Sequence, residues 1–322
     1  MARLSKQRRQ ELTVKQSAAV RRPAATPSPR RIQRVDIRRA WWQSPWAWGG
    51  GATAVVVVIL VVFVVLAASA PAPSPDPLAP SSLVSAVTGV SPSTLTTVGA
   101  GGLSDPLQKL PSSTPALKGS GGKPEVLMVG EDSCPYCAFE RWGLVVALSR
   151  FGTFTNLHET TSGDGETIAD INDIDSFSFY GSSYSSPYLD FVGVETGDRN
   201  GNALQTPSAA QEKILTTYDV SPYSSEPGGL PFVYLGGRYL ASGAPSVDYQ
   251  VDGQSVTLAP ELIYGMTWQQ IASSLSDPSS VQAQTILGNA NYLTAAICEL
   301  TGSQPGSVCA TSTITQLESK LS

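Results

Sequence analysis

Between Ala52 and Ala70 the chain runs nineteen residues, "ATAVVVVILVVFVVLAASA", without a charge or a proline. At 1.5 Å of rise per residue a helix of this length covers roughly 28 Å, close to the ~30 Å hydrocarbon core of a bilayer. Trp41, Trp42, Trp46 and Trp48 in "WWQSPWAW" stand just before it, where an interfacial aromatic belt would sit. The sequence therefore predicts one transmembrane anchor over 46–70, with residues 52–70 crossing the bilayer.

Charge is split across that segment. Residues 1–45 carry twelve Lys and Arg against Glu11 and Asp36, a net of +10, whereas everything after Ala70 carries nine against twenty-four Asp and Glu, a net of −15. The positive-inside rule puts a basic tail, 1–45, in the cytoplasm and the C-terminal part outside, as a single-pass protein of the cell membrane. Beside a membrane span a polybasic tail is read as a topological signal, and no nucleic-acid partner is expected. A cleaved signal peptide is the rival reading, since Ala68-Ser69-Ala70 has the small-x-small form of a cleavage site. Pro71 follows it, however, the basic region is long, and the apolar run exceeds an h-region of about 7 to 15 residues. An uncleaved anchor is expected, and on either reading the C-terminal part is exported.

Five prolines in the ten residues from Pro71 predict an extended, semi-rigid linker over 71–81. Residues 82–322 then form the extracytoplasmic domain. "LVSAVTGV" and "STLTTVGAG" carry more apolar residues than a linker needs, so part of 82–122 is expected to pack on that domain. "PEVLMVG" (124–130) is an apolar run of strand length ending in glycine, and a mostly buried helix over 136–150 follows, closed by Gly152. "FTNLHETTS", "SFSFYG" and "YLDFVGVET" read as further strands, Asn200-Gly201 as a turn, and Thr206-Pro207 as N-cap and N1 of a helix to about Tyr218. "LPFVYLGGRYLASG" is a hairpin around Gly236-Gly237. Thr267 with Gln270 makes a capping box for "TWQQIASSL", and Asp277-Pro278 opens a longer helix with Val281, Ile286, Leu293, Ile297 and Leu300 on one face. Strand, helix, strand, a long middle, hairpin and helix is an α/β order.

All four cysteines lie on the exported side, where disulfides form and persist. Cys298 and Cys309 bracket a Gly-, Pro- and Ser-containing loop past a helix end, which reads as a structural disulfide. Cys134-Pro135-Tyr136-Cys137 is placed differently. After a strand and opening a helix, Cys134 lies where unpaired N–H groups and the helix dipole stabilise a thiolate, the nucleophile of disulfide exchange. Pro135 fits the first turn, and Cys137, one turn on, faces the same way and can resolve a mixed disulfide. Glu131 and Asp132 oppose the effect. Zinc would want four ligands, and the only histidine, His158, reads as an ordinary strand residue, so no metal is assigned. A two-thiolate Cu(I) site and a permanently closed disulfide stay open beside redox exchange.

"VLMVGEDSCPYC" together with "GGLPFVYLGG" resembles the thioredoxin superfamily. The resemblance implies an α/β, thioredoxin-like fold with an inserted segment over about 160–225 and C-terminal helices. It also implies that Pro231 is the cis-proline facing the CxxC, with Pro135, Tyr136, Leu230 and Pro231 shaping the site. CPYC is similar to the glutaredoxin version of the motif, whereas Ser133 stands where thioredoxins carry tryptophan. "CPYCAFERW" and "ALSRFG" further resemble an exported prokaryotic family catalogued as a domain of unknown function, over about 81–322. What the resemblance implies is a thiol-disulfide oxidoreductase with Cys134 and Cys137 as catalytic pair, needing no cofactor. Its partners would be thiol- or disulfide-containing proteins and a membrane redox partner. A non-enzymatic binding module or a Cu(I)-thiolate carrier is the alternative. The Tyr-, Ser- and Phe-rich "SFSFYGSSYSSPYLDF" suits contact with polypeptide or strand core equally.

Overall fold

The computed structural model describes residues 72–322 apart from 105, 164–170, 225–226, 252 and 322. The basic tail and the expected anchor over 46–70 lie outside the described residues. Among the described residues no helix is long and apolar enough to cross a membrane.

Five strands make the central sheet: β1 (Gln108–Lys109), β2 (Glu125–Gly130), β7 (Asp190–Glu195), β8 (Phe232–Leu235) and β9 (Tyr239–Ser242), in the order β1-β9-β8-β2-β7. It is a mixed sheet. β2 runs parallel to β7, with Val126 opposite Phe191, and antiparallel to β8, with Val129 opposite Phe232. Alternation sorts the side chains to two faces. Val126 and Met128 of β2 join Val233 and Leu235 of β8 in the larger core, while Leu127 and Val129 join Phe232 and Tyr234 on the opposite face. β8 and β9 turn at Gly236 and Gly237, at φ 58° and 76°, which side-chain-bearing residues rarely adopt.

The larger core is built around helix α3 (Pro135–Ser149), whose residues are buried almost throughout. It packs against α6 (Val281–Leu300), α1 (Ser81–Thr88) and β5 (Asp175–Ser178). Thus part of the 82–122 segment packs on the domain as expected, through Leu83 and Val87 of α1 and Leu95 and Val98 of α2 (Pro92–Val98). The opposite face is covered by α4 (Ala209–Tyr218), where Tyr218 sits 5.2 Å from Tyr234, ring to ring. Parallel strands require a crossover, and α3 with the segments after it supplies the one from β2 to β7.

Several local expectations are corrected. The single strand read in "FTNLHETTS" is broken into β3 (Thr153–Thr155) and β4 (His158–Thr161), because Asn156 adopts φ 55°, a turn conformation that asparagine tolerates. Helix α4 is capped by Ser208, not Thr206, since Ser208 and Gln211 close a reciprocal capping box. Helix α6 begins after Ser280, because Asp277 accepts from the Ser279 N–H and forms a turn instead. The 160–225 stretch is not one excursion: β7 within it is a central-sheet strand. Its aromatics belong mainly to the core, with Phe177 edge-on to Trp142 at 4.7 Å and Phe179 edge-on to Phe191 at 4.9 Å. The proline-rich stretch does not stand free where it is described. Pro77 C=O accepts from the Glu159 N–H and Ala79 N–H donates to Leu157 C=O, so it lies along β4.

Near the C-terminus Cys298 and Cys309 are bonded, with Cα atoms 5.5 Å apart, joining α6 to α7 (Gly306–Cys309). Helix α8 (Ser312–Leu321) then packs Ile314 and Leu317 into the core. Replacing both cysteines by alanine is expected to lower stability by about 3 kcal/mol on the loop-entropy scale. Urea unfolding of the variant and parent would measure this, and an unchanged midpoint would refute a stabilising role for the bond.

Candidate active site

Strand β2 ends at Gly130, and four residues later the chain enters α3 with Cys134 as its N-cap. The Cys137 N–H donates to Cys134 Sγ at 3.2 Å, so the thiol occupies the place of a capping oxygen at the positive end of the helix dipole. Cys134 Sγ also lies 3.7 Å from the carbonyl oxygen of Leu230, and the Leu230–Pro231 bond is cis. The Gly243 N–H donates to Pro231 C=O at 2.8 Å, fixing this segment at the start of β8. Of the six residues singled out around the dithiol, Cys134, Tyr136 and Leu230 line one cleft of about 1240 Å³. Pro135, Cys137 and Pro231 are buried beside it.

The two free thiols differ. Cys134 is half-buried and Cys137 fully buried. A hydrogen bond from the Cys137 thiol holds the Cys134 pKa below its ordinary value against the opposing effect of burial, with help from the Cys137 N–H and the nearby Arg141 charge. Burial pushes the Cys137 thiol well above its ordinary value, and its bond to Cys134 adds to the rise. Cys134 is thus the more readily ionised thiol of the pair, and Cys137 the one that burial keeps protonated. Gly130 makes room for this: a Cβ there would stand 3.1 Å from Cys137 Sγ and 3.5 Å from Glu195 Oε2.

Beyond Glu131 and Asp132, sequence reasoning did not identify the charges behind the cysteines. Arg141, one turn beyond Cys137, is fully buried and forks onto Glu195, with Nε to Oε1 at 2.9 Å and Nη2 to Oε2 at 2.6 Å. Its Nη2 also donates to Glu131 C=O at 2.8 Å and lies 3.2 Å from Asp132 Oδ1. Burial, only partly offset by Arg141, raises Asp132 to about 7, and Ser178 Oγ donates to its Oδ2. Glu140 is buried on another side of α3, accepting from Asn289 Nδ2 at 2.8 Å, and burial pushes its pKa to about 8. The signal was present: adjacent charges at 140 and 141 inside the apolar helix "CAFERWGLVVAL" must be paired or neutral if that helix is buried. The hairpin of β10 (Ser246–Val251) and β11 (Gln254–Leu258), which supplies Thr257 and Leu258 to the cleft wall, was likewise not read, although Asp252-Gly253 is a turn signal.

His158 helps dock the N-terminal stretch, its Nδ1 standing 2.6 Å from Asp76 C=O. Among the described residues no group of three or more His, Cys, Asp or Glu is arranged to hold a metal ion.

Fold and site together define a class, a mixed α/β domain with a CxxC dithiol at the N-terminus of its central helix. A family model, Domain of unknown function (DUF929), matches residues 116–299, and the chain belongs to that family. The matched span holds the sheet from β2 to β9, the dithiol and most of α6, and it is shorter than the 81–322 expected. No curated protein and no solved structure matches the chain.

Two variants check these electrostatics. Arg141→Leu leaves Glu195 and Asp132 buried without their cation and is expected to cost about 3–5 kcal/mol in urea unfolding. The same variant should move the pH midpoint of Cys134 alkylation upward, and an unmoved midpoint would separate Arg141 from the thiol. For Glu140 the folded chain keeps its proton up to about pH 8, whereas the unfolded chain releases it near the ordinary 4.5. Folding stability attributable to Glu140 therefore falls as pH rises between those values, by on the order of 4 kcal/mol. Glu140→Gln should accordingly raise the melting temperature relative to the parent at pH 9, with the difference shrinking toward pH 4. A constant difference across that range would contradict the assignment.

Proposed function

We propose that this chain is a membrane-anchored, extracytoplasmic thiol-disulfide oxidoreductase of thioredoxin-like fold that acts on protein substrates through Cys134 and Cys137. The observation that carries this reading is the asymmetry of the dithiol: a cleft-facing Cys134 with a lowered pKa, backed by a buried, protonated Cys137. The thioredoxin-like assignment is supported by β2 leading directly into α3, by the antiparallel β8–β9 hairpin, and by Leu230-Pro231 lying against Cys134. Placement outside the membrane rests on the apolar run over 52–70 and the charge split around it.

In the reducing direction the Cys134 thiolate attacks one sulfur of a substrate disulfide, forming a mixed disulfide and expelling the other substrate sulfur as a thiolate. Cys137 then gives up its proton and attacks Cys134 Sγ, closing the Cys134–Cys137 disulfide and releasing the second substrate thiol. Two electrons pass to the substrate, and two protons make its thiols. Oxidation of a substrate dithiol is the same sequence reversed. Leu230 and Pro231 flank the attacking sulfur and shape the approach to it. Turnover requires a membrane partner with its own dithiol or disulfide to restore the pair.

Cys137→Ser, expressed in the native membrane, leaves the mixed disulfide unresolved. It is expected to accumulate protein adducts on Cys134 that dithiothreitol releases, while Cys134→Ser accumulates none. Absence of adducts, together with no insulin reduction by the parent chain, would overturn the enzyme reading. Stoichiometric Cu(I) uptake lost on Cys134→Ser would favour a metal carrier.

A further inference from the structure

Behind the wall of the Cys134 cleft lies a second, smaller cavity of about 240 Å³, and the segment Ser242–Ser246 lines both. Its inner end is closed by Glu140 and Asn289. Asn289 Nδ2 satisfies Glu140 Oε2 at 2.8 Å, but Glu140 Oε1 has no hydrogen-bond partner, and Glu140 is 1% exposed. A buried carboxyl oxygen left unpaired costs free energy that a ligand would recover. The remaining wall offers the hydroxyls of Ser104, Ser242 and Ser246 and, among the described residues, no Lys, Arg or His. Of the charged groups around the site, Arg141 on α3 is engaged by Glu195 and Asp132, and Asp219 accepts from the Ser242 hydroxyl at 3.4 Å, while Asn289 on α6 is neutral.

We propose that this cavity is a binding site for a small organic cation of the primary-ammonium type, with Glu140 as its counter-charge. An ammonium group carries donors only, three of them, and the site offers one unpaired carboxyl oxygen and hydroxyls able to accept. The volume is several times the ~30 Å³ share of one water, which leaves room for a short carbon chain. A bare divalent ion would want several carboxylate or carbonyl oxygens around it, and among the described residues the cavity brings one carboxylate. Binding exchanges a proton for the ligand: the Glu140 carboxylic acid ionises as the ammonium enters, and the proton leaves to solvent. This site does not depend on the redox reading of Cys134.

Titration calorimetry of the full-length chain in detergent with ethylammonium, ethanol and tetramethylammonium between pH 6 and 9 tests the proposal. Ethylammonium is expected to bind saturably at one site per chain, with proton release and an affinity that rises roughly tenfold per pH unit below pH 8 and levels off above it. Ethanol, lacking the charge, and tetramethylammonium, lacking the N–H donors, should not bind, and Glu140→Gln should abolish binding. No saturable ethylammonium binding at any pH, equal binding of either control, or binding that persists in Glu140→Gln would overturn the proposal. Should that variant fail to fold, the pH dependence of the parent decides, and a pH-independent affinity would also overturn it.

Discussion

The structure hangs on one buried ion pair, the fork of Arg141 onto Glu195. Arg141 belongs to the central helix and Glu195 to the end of the strand that runs parallel to β2, so the pair ties the two sides of the crossover together. The same guanidinium reaches the Glu131 carbonyl and Asp132, which lie in the turn that delivers Cys134 to the helix N-terminus. A buried pair of this kind contributes little net stability compared with an apolar replacement, but removing one partner is costly. Here it fixes the turn beneath the thiols and places a positive charge behind them, which offsets the acidic residues at 131 and 132.

That charge has to be weighed against the burial of Cys137. Burial alone would raise both thiols, and in Cys137 it does. Cys134 escapes because it sits at the cap: it receives a hydrogen bond from the Cys137 thiol and the Cys137 N–H, and it opens to the cleft. Asymmetry within the dithiol thus comes from position along one helical turn. Gly130 permits it by leaving no side chain between Cys137, Met128 and Glu195.

The strand before the dithiol, the helix after it, the Gly236-Gly237 hairpin and the C-terminal disulfide were legible because each rests on local signals: an apolar run, a 3.6-residue period, a turn dipeptide, two cysteines around a loop. The juxtaposition of Cys134 with Leu230 came from resemblance, because contacts 96 residues apart leave no local pattern. Helix starts were misplaced by two or three residues where two capping candidates competed, Thr206 against Ser208 and Asp277 against Ser280; reciprocal hydrogen bonding decided the first and an Asp turn the second. The buried charges at 140, 141 and 195 were missed because their partners come from separate elements, although a charged pair inside a buried helix demanded partners. The docking of the proline-rich stretch was missed because its contacts are made by carbonyls, which every residue carries.

The most direct test of the central claim is the equilibrium oxidation state of the Cys134–Cys137 pair in dithiothreitol redox buffers, read by alkylation and mass spectrometry of the full-length chain. A reversible redox pair gives a single two-electron transition between dithiol and disulfide, absent in Cys134→Ser, while Cys298–Cys309 is scored separately by its own peptide. Failure of Cys134 and Cys137 to form a disulfide with each other at any potential would contradict it.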